Sequence, residues 1–502
     1  MAQVRTNKTS FRSSVESALE TAGTSWDIVE VNSIGELGKV NEKVMRDPIS
    51  TDRQRRKGAV VGRTSGFRFE AGATLSHLES LLPAFMFADY AHPGTQGVGV
   101  YAPTAAVDGG TAADSFTVAA DGDLVANELI FTRGFANAEN NGLFVVAAGS
   151  TPTSIKVPTA SLVAEASPPA NVMLEVAGIQ GASGDFEIDA NGDLISTLRD
   201  FTTLNLSVGQ FIKIGGTATN TFFATAANNA YARIDAIAAN KLTLSKRGAA
   251  FALDNGAGKT IQIFYGRFLR QYDVDHAKFI ERSYTFEVKL DDLLPGPADH
   301  YMYPKGNYAG ELTINFPLKG EVTMSVVFVG TDTESPTTSR KTGASTALSP
   351  AKSSILTTSG SMWKRLRITE ADETGVLSFL KQGTLKINNN VAGEDAQAPG
   401  VTGHKYMNYG NHHPDFEGTW LFEDKAVVTA IEEDRTMSAE FGLRNSDGAI
   451  MFDFPAIDLS GGGVGLPVNE TVTIQSTAAS FKQTTGVNQY SMSVSLFPHI
   501  PS

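Results

Sequence analysis

Alternation with a period of two recurs almost from end to end of this chain, and no other feature narrows its fold as much. Trp26–Val31, Gly66–Glu70, Tyr284–Leu290, Glu311–Phe316, Val322–Phe328 and Tyr490–Leu496 all alternate in this way. That is the signature of strands with one buried face. Asp447-Gly448 between Ser438–Leu443 and Ala449–Phe454 marks a hairpin, because Asp-Gly tolerates the tight turn. The chain is therefore expected to be mainly β.

Helical spacing is confined to two places. From Thr74 to Ala88, Leu75, Leu78, Leu81, Leu82 and Phe85 fall on one face, with Thr74 as the N-cap. Pro83 sits inside this run and is expected to kink the helix or end it early. Lys425–Glu433 is a second, shorter amphipathic helix. Each helix follows a similar strand, Ser65–Glu70 in one case and Glu417–Glu423 in the other. This echo suggests two related halves.

Between them lies a repeat. Phe116–Leu124, containing Asp121-Gly122-Asp123, matches Phe186–Leu194, containing Asn191-Gly192-Asp193. Asn140–Val146 matches Asn220–Phe223, and Ser154–Val157 matches Lys241–Leu244. The expected division is 1–95, an insert at 96–265 and 266–502. The insert holds two small all-β modules at about 111–168 and 170–265. Its Pro- and Gly-rich lead, 91–110, reads as a linker, and Ser/Thr-rich 331–360 as a mobile loop.

Composition removes several function classes. The 502 residues include no cysteine, which excludes disulfide scaffolds, thiolate metal sites and a cysteine nucleophile. Net charge is −13, which is unfavourable for phosphate binding except through a local patch. The basic cluster is Arg53, Arg55, Arg56 and Lys57. Met1–Gly23 lacks the apolar core of a secretory signal, and no stretch is apolar enough to span a membrane.

The apparent chemical motifs are weak. Gly256-Ala-Gly258-Lys259-Thr260 resembles a phosphate loop, but Leu253 stands where its first glycine belongs and a strand pattern follows. Asp189–Asp193 resembles part of a calcium loop, but Leu198 replaces the bidentate Glu. Type I′ turns are the expected role of both Asp121-Gly122 and Asn191-Gly192. The adjacent His412 and His413 would point to opposite faces of a strand, which disfavours a shared metal. No G-x-S-x-G elbow is present. No catalytic residue, cofactor or metal site is expected.

Three segments carry a resemblance. Trp26–Val29, Asp47–Arg53 and Gly66–Glu70 lead in order to the Leu-rich helix. Tyr303–Asn315 and Lys319–Gly330 follow, and Gly418-Thr-Trp420 with its helix closes the pattern. This order resembles the tail tube proteins, or major tail proteins, of long non-contractile-tailed bacteriophages. The resemblance implies a β-sandwich or barrel-like core with flanking helices and no enzymatic activity. It also implies hexameric rings stacked into a hollow tube in the virion tail, made in the bacterial cytoplasm. Tail terminator, tape-measure and tail-tip proteins would be partners, and DNA would traverse the lumen during ejection without specific binding. Arg53, Arg55, Arg56 and Lys57 then become a candidate inter-ring loop, and the inserted modules exterior decoration. Two other readings compete. A surface-layer or adhesin-like β-protein predicts an export signal, and a carbohydrate-active enzyme predicts paired carboxylates in a cleft.

Overall fold

The structure is a computed structural model that describes residues 9–35, 39–45, 57–245, 251–290, 299–347, 352–358, 363–370, 375–376, 380–395, 403–421, 426–465, 471–483 and 489–501. It is mainly β, and no barrel closes among those residues.

The longest sheet is antiparallel. In spatial order its strands are Ser33–Ile34, Ala59–Gly72, Thr323–Gly330, Tyr308–Phe316, Leu380–Asn388, His413–Leu421, Thr473–Ser480 and Gly448–Gly465. Met437–Asn445 and Trp363–Glu370 continue it beyond the first part of the last strand. The period-two pattern places Phe67, Phe69, Leu312, Ile314, Leu385, Ile387, Phe416 and Trp420 on one face, all buried. A second sheet sets Ser10–Ala18 between Tyr284–Leu290 and Ser25–Ile28. Where these layers meet, Phe286 lies 4.5 Å from Phe67 and 4.8 Å from Phe328, both edge to face. Such pairs add about 1 kcal/mol each beyond the burial of their area.

The first helix, α1 (Leu75–Met86), covers this core. Thr74 caps it by accepting from the His77 amide at 3.1 Å. Leu75, Leu78, Leu81, Leu82 and Phe85 are buried. Pro83 does not end the helix early, which runs on to Met86. The carbonyl of Pro83 accepts the cap N–H of Phe87, whose φ of +45° turns the chain away. The second helix, α2 (Ala426–Glu432), packs Val428 and Ile431 against the same cluster.

From Val98 to Tyr265 a separate hydrophobic cluster forms. Strands on both sides of the expected module boundary share one sheet, joined where Gly178–Gln180 pair with Gln262–Phe264. The repeat is real but its register differs from the sequence match. Ser154–Val157, Asp114–Thr117 and Ala105–Val107 pair in that order, as do Lys241–Leu244, Leu194–Ile195 and Glu187–Ile188. Phe116 therefore corresponds to Leu194 rather than Phe186. The true asparagine counterparts of Asn140-Asn141 are Asn228-Asn229. Asn141 and Asn229 each bracket the backbone of a phenylalanine six residues earlier, Phe135 and Phe223. Asn140 and Asn228 each clamp the backbone of a later segment, at Val163 and Ala252.

Several local expectations need correction. Asp121-Gly122 lies between strands of different sheets, so it is no hairpin turn. Asn191-Gly192 does join a hairpin, but only Gly192 has positive φ (+80°), whereas type I′ needs two such residues. The 91–110 segment is built into the insert rather than linking it: Thr95 donates twice to Glu128, and Tyr101 donates to the Asp121 carbonyl. Likewise, 331–360 contributes a strand, Ala344–Ala347, parallel to Ser25–Ile28, and the buried Lys352.

Candidate functional site

Strand alternation that buries one face of the long sheet must present the other. The presented face carries Thr313, Asn315, Thr384, Gln382, Thr419, Gln475 and Thr477 among its neutral residues, none of them buried. Its charges are mostly acidic. Arg68 pairs with Glu70 at 2.8 Å and Lys386 with Glu311 at 2.9 Å. Among the described residues this leaves Asp415, Glu417 and Asp458 as the charges of this face with no cation partner. A trough of about 680 Å³ crosses the face between Asn315, Thr384, Glu417 and Gln475. Among the described residues Glu417 is the one carboxylate lining it, whereas glycoside hydrolysis needs a pair.

A β-arm projects from the same sheet. Val40–Val44 pairs with Ala59–Thr64, extending the strand Ala59–Gly72 past its sheet partners. Val40, Val44, Met45 and Val61 are each at least 51% exposed. Apolar side chains gathered on one exposed arm mark a contact surface. The basic run sits between the two arm strands. Arg53, Arg55 and Arg56 lie outside the described residues, and Lys57 is exposed at the start of the returning strand.

A third feature joins insert to sheet, and sequence reasoning missed it entirely. Glu79 comes from α1, Glu175 and Arg133 from the insert, Arg267 from the strand Arg267–Arg270, and Lys352 from the segment after Ala344–Ala347. Lys352 Nζ donates to Glu79 at 2.9 Å and Glu175 at 2.8 Å. Arg267 reaches both carboxylates, lying 3.2 Å from Glu175. Arg133 is 3.4 Å from Glu175 and donates to the carbonyls of Asp447 and Pro498. Burial acts to raise the Glu79 carboxyl, but Arg267 and Lys352 outweigh it and hold the group at about 2. Glu175 is lowered in the same way, burial being outweighed by Lys352 and Arg267. Nearby, Arg233 of the insert lies 3.4 Å from Asp453, which also accepts from the Tyr490 hydroxyl at 3.1 Å. No spacing in the sequence links these residues, since their partners lie up to 365 positions away.

The motif candidates resolve into structural roles. Lys259 donates to the Thr219 carbonyl at 2.6 Å, and its amide closes a turn on Gly256. Lys241 sits between Asp189 (3.2 Å) and Asp193 (2.6 Å), the oxygens a calcium ion would need. Burial and then neighbouring His413 push the His412 imidazole down to about 3, so it is neutral beside the Ser491 hydroxyl. No helix among the described residues is long and apolar enough to cross a membrane.

Comparison with curated proteins finds no match. The family model described as phage tail tube protein matches residues 6–481. The chain belongs to the phage tail tube protein family.

Proposed function

We propose that this protein assembles into stacked rings that form the hollow tail tube, and that the genome passes through the bore during ejection. Family membership makes it a structural component of the phage tail. The observation that carries the finer reading is the long sheet, whose polar, acidic face suits a bore. DNA affinity comes from neutralising phosphates, so a wall bearing Asp415, Glu417 and Asp458 favours passage over retention.

The arm strands Val40–Val44 and Ala59–Thr64, with the basic run that lies between them in sequence, supply the contact from one ring to the next. The insert, fixed on the opposite side of the core from that face, decorates the exterior. Tail terminator, tape-measure and tail-tip proteins are the partners this reading expects, with synthesis in the host cytoplasm. Purified full-length protein examined by electron microscopy tests it. Hollow tubes or rings are expected, and a monomer at all concentrations would overturn the reading.

A further inference from the structure

The two halves echoed in the sequence correspond strand by strand. In the first, Ser10–Ala18 pairs with Tyr284–Leu290; in the second, Trp363–Glu370 pairs with Met437–Asn445. Tyr284–Leu290 then folds back on 300–307, as Met437–Asn445 folds back on 448–457. Thr323–Gly330 lies between Tyr308–Phe316 and the strand leading to α1. Thr473–Ser480 lies in the same way between 457–465 and the strand leading to α2. Each half also raises an arm, Val40–Val44 on Ala59–Thr64 and Ala392–Asp395 on His404–Asn408. The insert occupies the place that the short turn 433–436 fills in the second half.

The halves are joined inside the chain by one seam. In sheet order, the last strand of the first half, Tyr308–Phe316, pairs with the first strand of the second, Leu380–Asn388, over six residue pairs. The equivalent last strand of the second half is 457–465. Among the described residues its outer edge beyond Ile457 has no strand partner, and neither does the outer edge of Ser33–Ile34. These edges are the two ends of one seam, and each matches the other's partner in the internal junction.

Resting on the tube reading above, we infer that a ring is built from three copies of this chain, each supplying two tube units. The edge at 458–465 of one copy pairs with the edge at Ser33–Ile34 of the next, repeating the internal seam. This is a head-to-tail interface that closes by rotation. Strand number sets the bore. Eight strands from each of three chains close a barrel about 50 Å across, at about 4.8 Å per strand and a tilt of about 40°. Six chains would give about 100 Å, far wider than guidance of one duplex requires.

Single-particle cryo-electron microscopy of assembled full-length protein, with native mass spectrometry of released rings, tests the inference. Three chains of 53.3 kDa per ring are expected, with three insert lobes around each ring. Rings of six chains with six lobes would overturn the three-copy inference and leave the tube reading standing. Absence of rings and tubes would overturn both.

Discussion

At the scale of single residues, the decisive group is the buried cluster of Glu79, Glu175, Arg267, Lys352 and Arg133. Glu175, Arg267, Lys352 and Arg133 leave water together beside the half-buried Glu79, and each is tolerable only while the others remain. Removing one partner of such a set costs about 3–5 kcal/mol, because it strands a buried charge. Lys352→Met is therefore expected to lower unfolding free energy by about that amount in a urea titration; a change under about 0.5 kcal/mol, typical of surface positions, would contradict the account. The same cluster sets an acid limit. Because folded Glu79 is held near 2 against an ordinary value of 4.5, its contribution is complete above about 4.5 and is lost as pH falls from there through about 2. Thermal melts at descending pH should show this loss in the parent and a shallower one in Lys352→Met. Thr74 as a cap was readable from sequence because its partner is three residues away. Lys352 was not, because its setting depends on four segments meeting in space and its own surroundings read as loop.

At the scale of elements, strands were legible wherever one face is buried and the other wet, as in Glu311–Phe316. What composition concealed was pairing. Ala344–Ala347 lies in a Ser/Thr-rich stretch, yet it adds a parallel strand beside Ser25–Ile28. The repeat was seen but misaligned, because Phe and Asp-Gly recur by composition while the conserved geometry belongs to the paired asparagines. The two functional elements make separate predictions. Val44→Asp with Val61→Asp, or Arg55→Glu with Arg56→Glu, should leave the subunit folded by circular dichroism and block polymerisation; tubes of normal length would contradict the role given to the arm. Asp415→Lys with Glu417→Lys should make tubes retain short duplex DNA at low salt. Each neutralised phosphate adds about 0.9 to the slope of log affinity against log salt. Unchanged, negligible retention would place those residues away from the bore.

At the scale of the whole molecule, residues 98–265 gather around a hydrophobic cluster of their own, which the proposal treats as an insert in one half of a two-half tube subunit. The repeat pointed to this region in the sequence, whereas the proline-rich lead read as a linker and is instead tied to it through Thr95 and Tyr101. Its docking was not legible, since Phe211 meets Met451 and Phe497 in a small cluster that no local pattern announces. Replacing 96–265 with a short linker should lower stability, by exposing Met451 and Phe497 and removing Glu175, while preserving tube formation; complete loss of assembly would assign the insert a place in the wall. The claim on which everything else depends is that the polar face of the long sheet lines a continuous bore. A cryo-electron microscopy map of the assembled tube, at a resolution that traces strands, measures this directly. The account predicts Asp415, Glu417 and Gln475 facing the central channel, with α1 and α2 behind the sheet. A tube whose channel is lined by another surface, with this face turned outward, would contradict it.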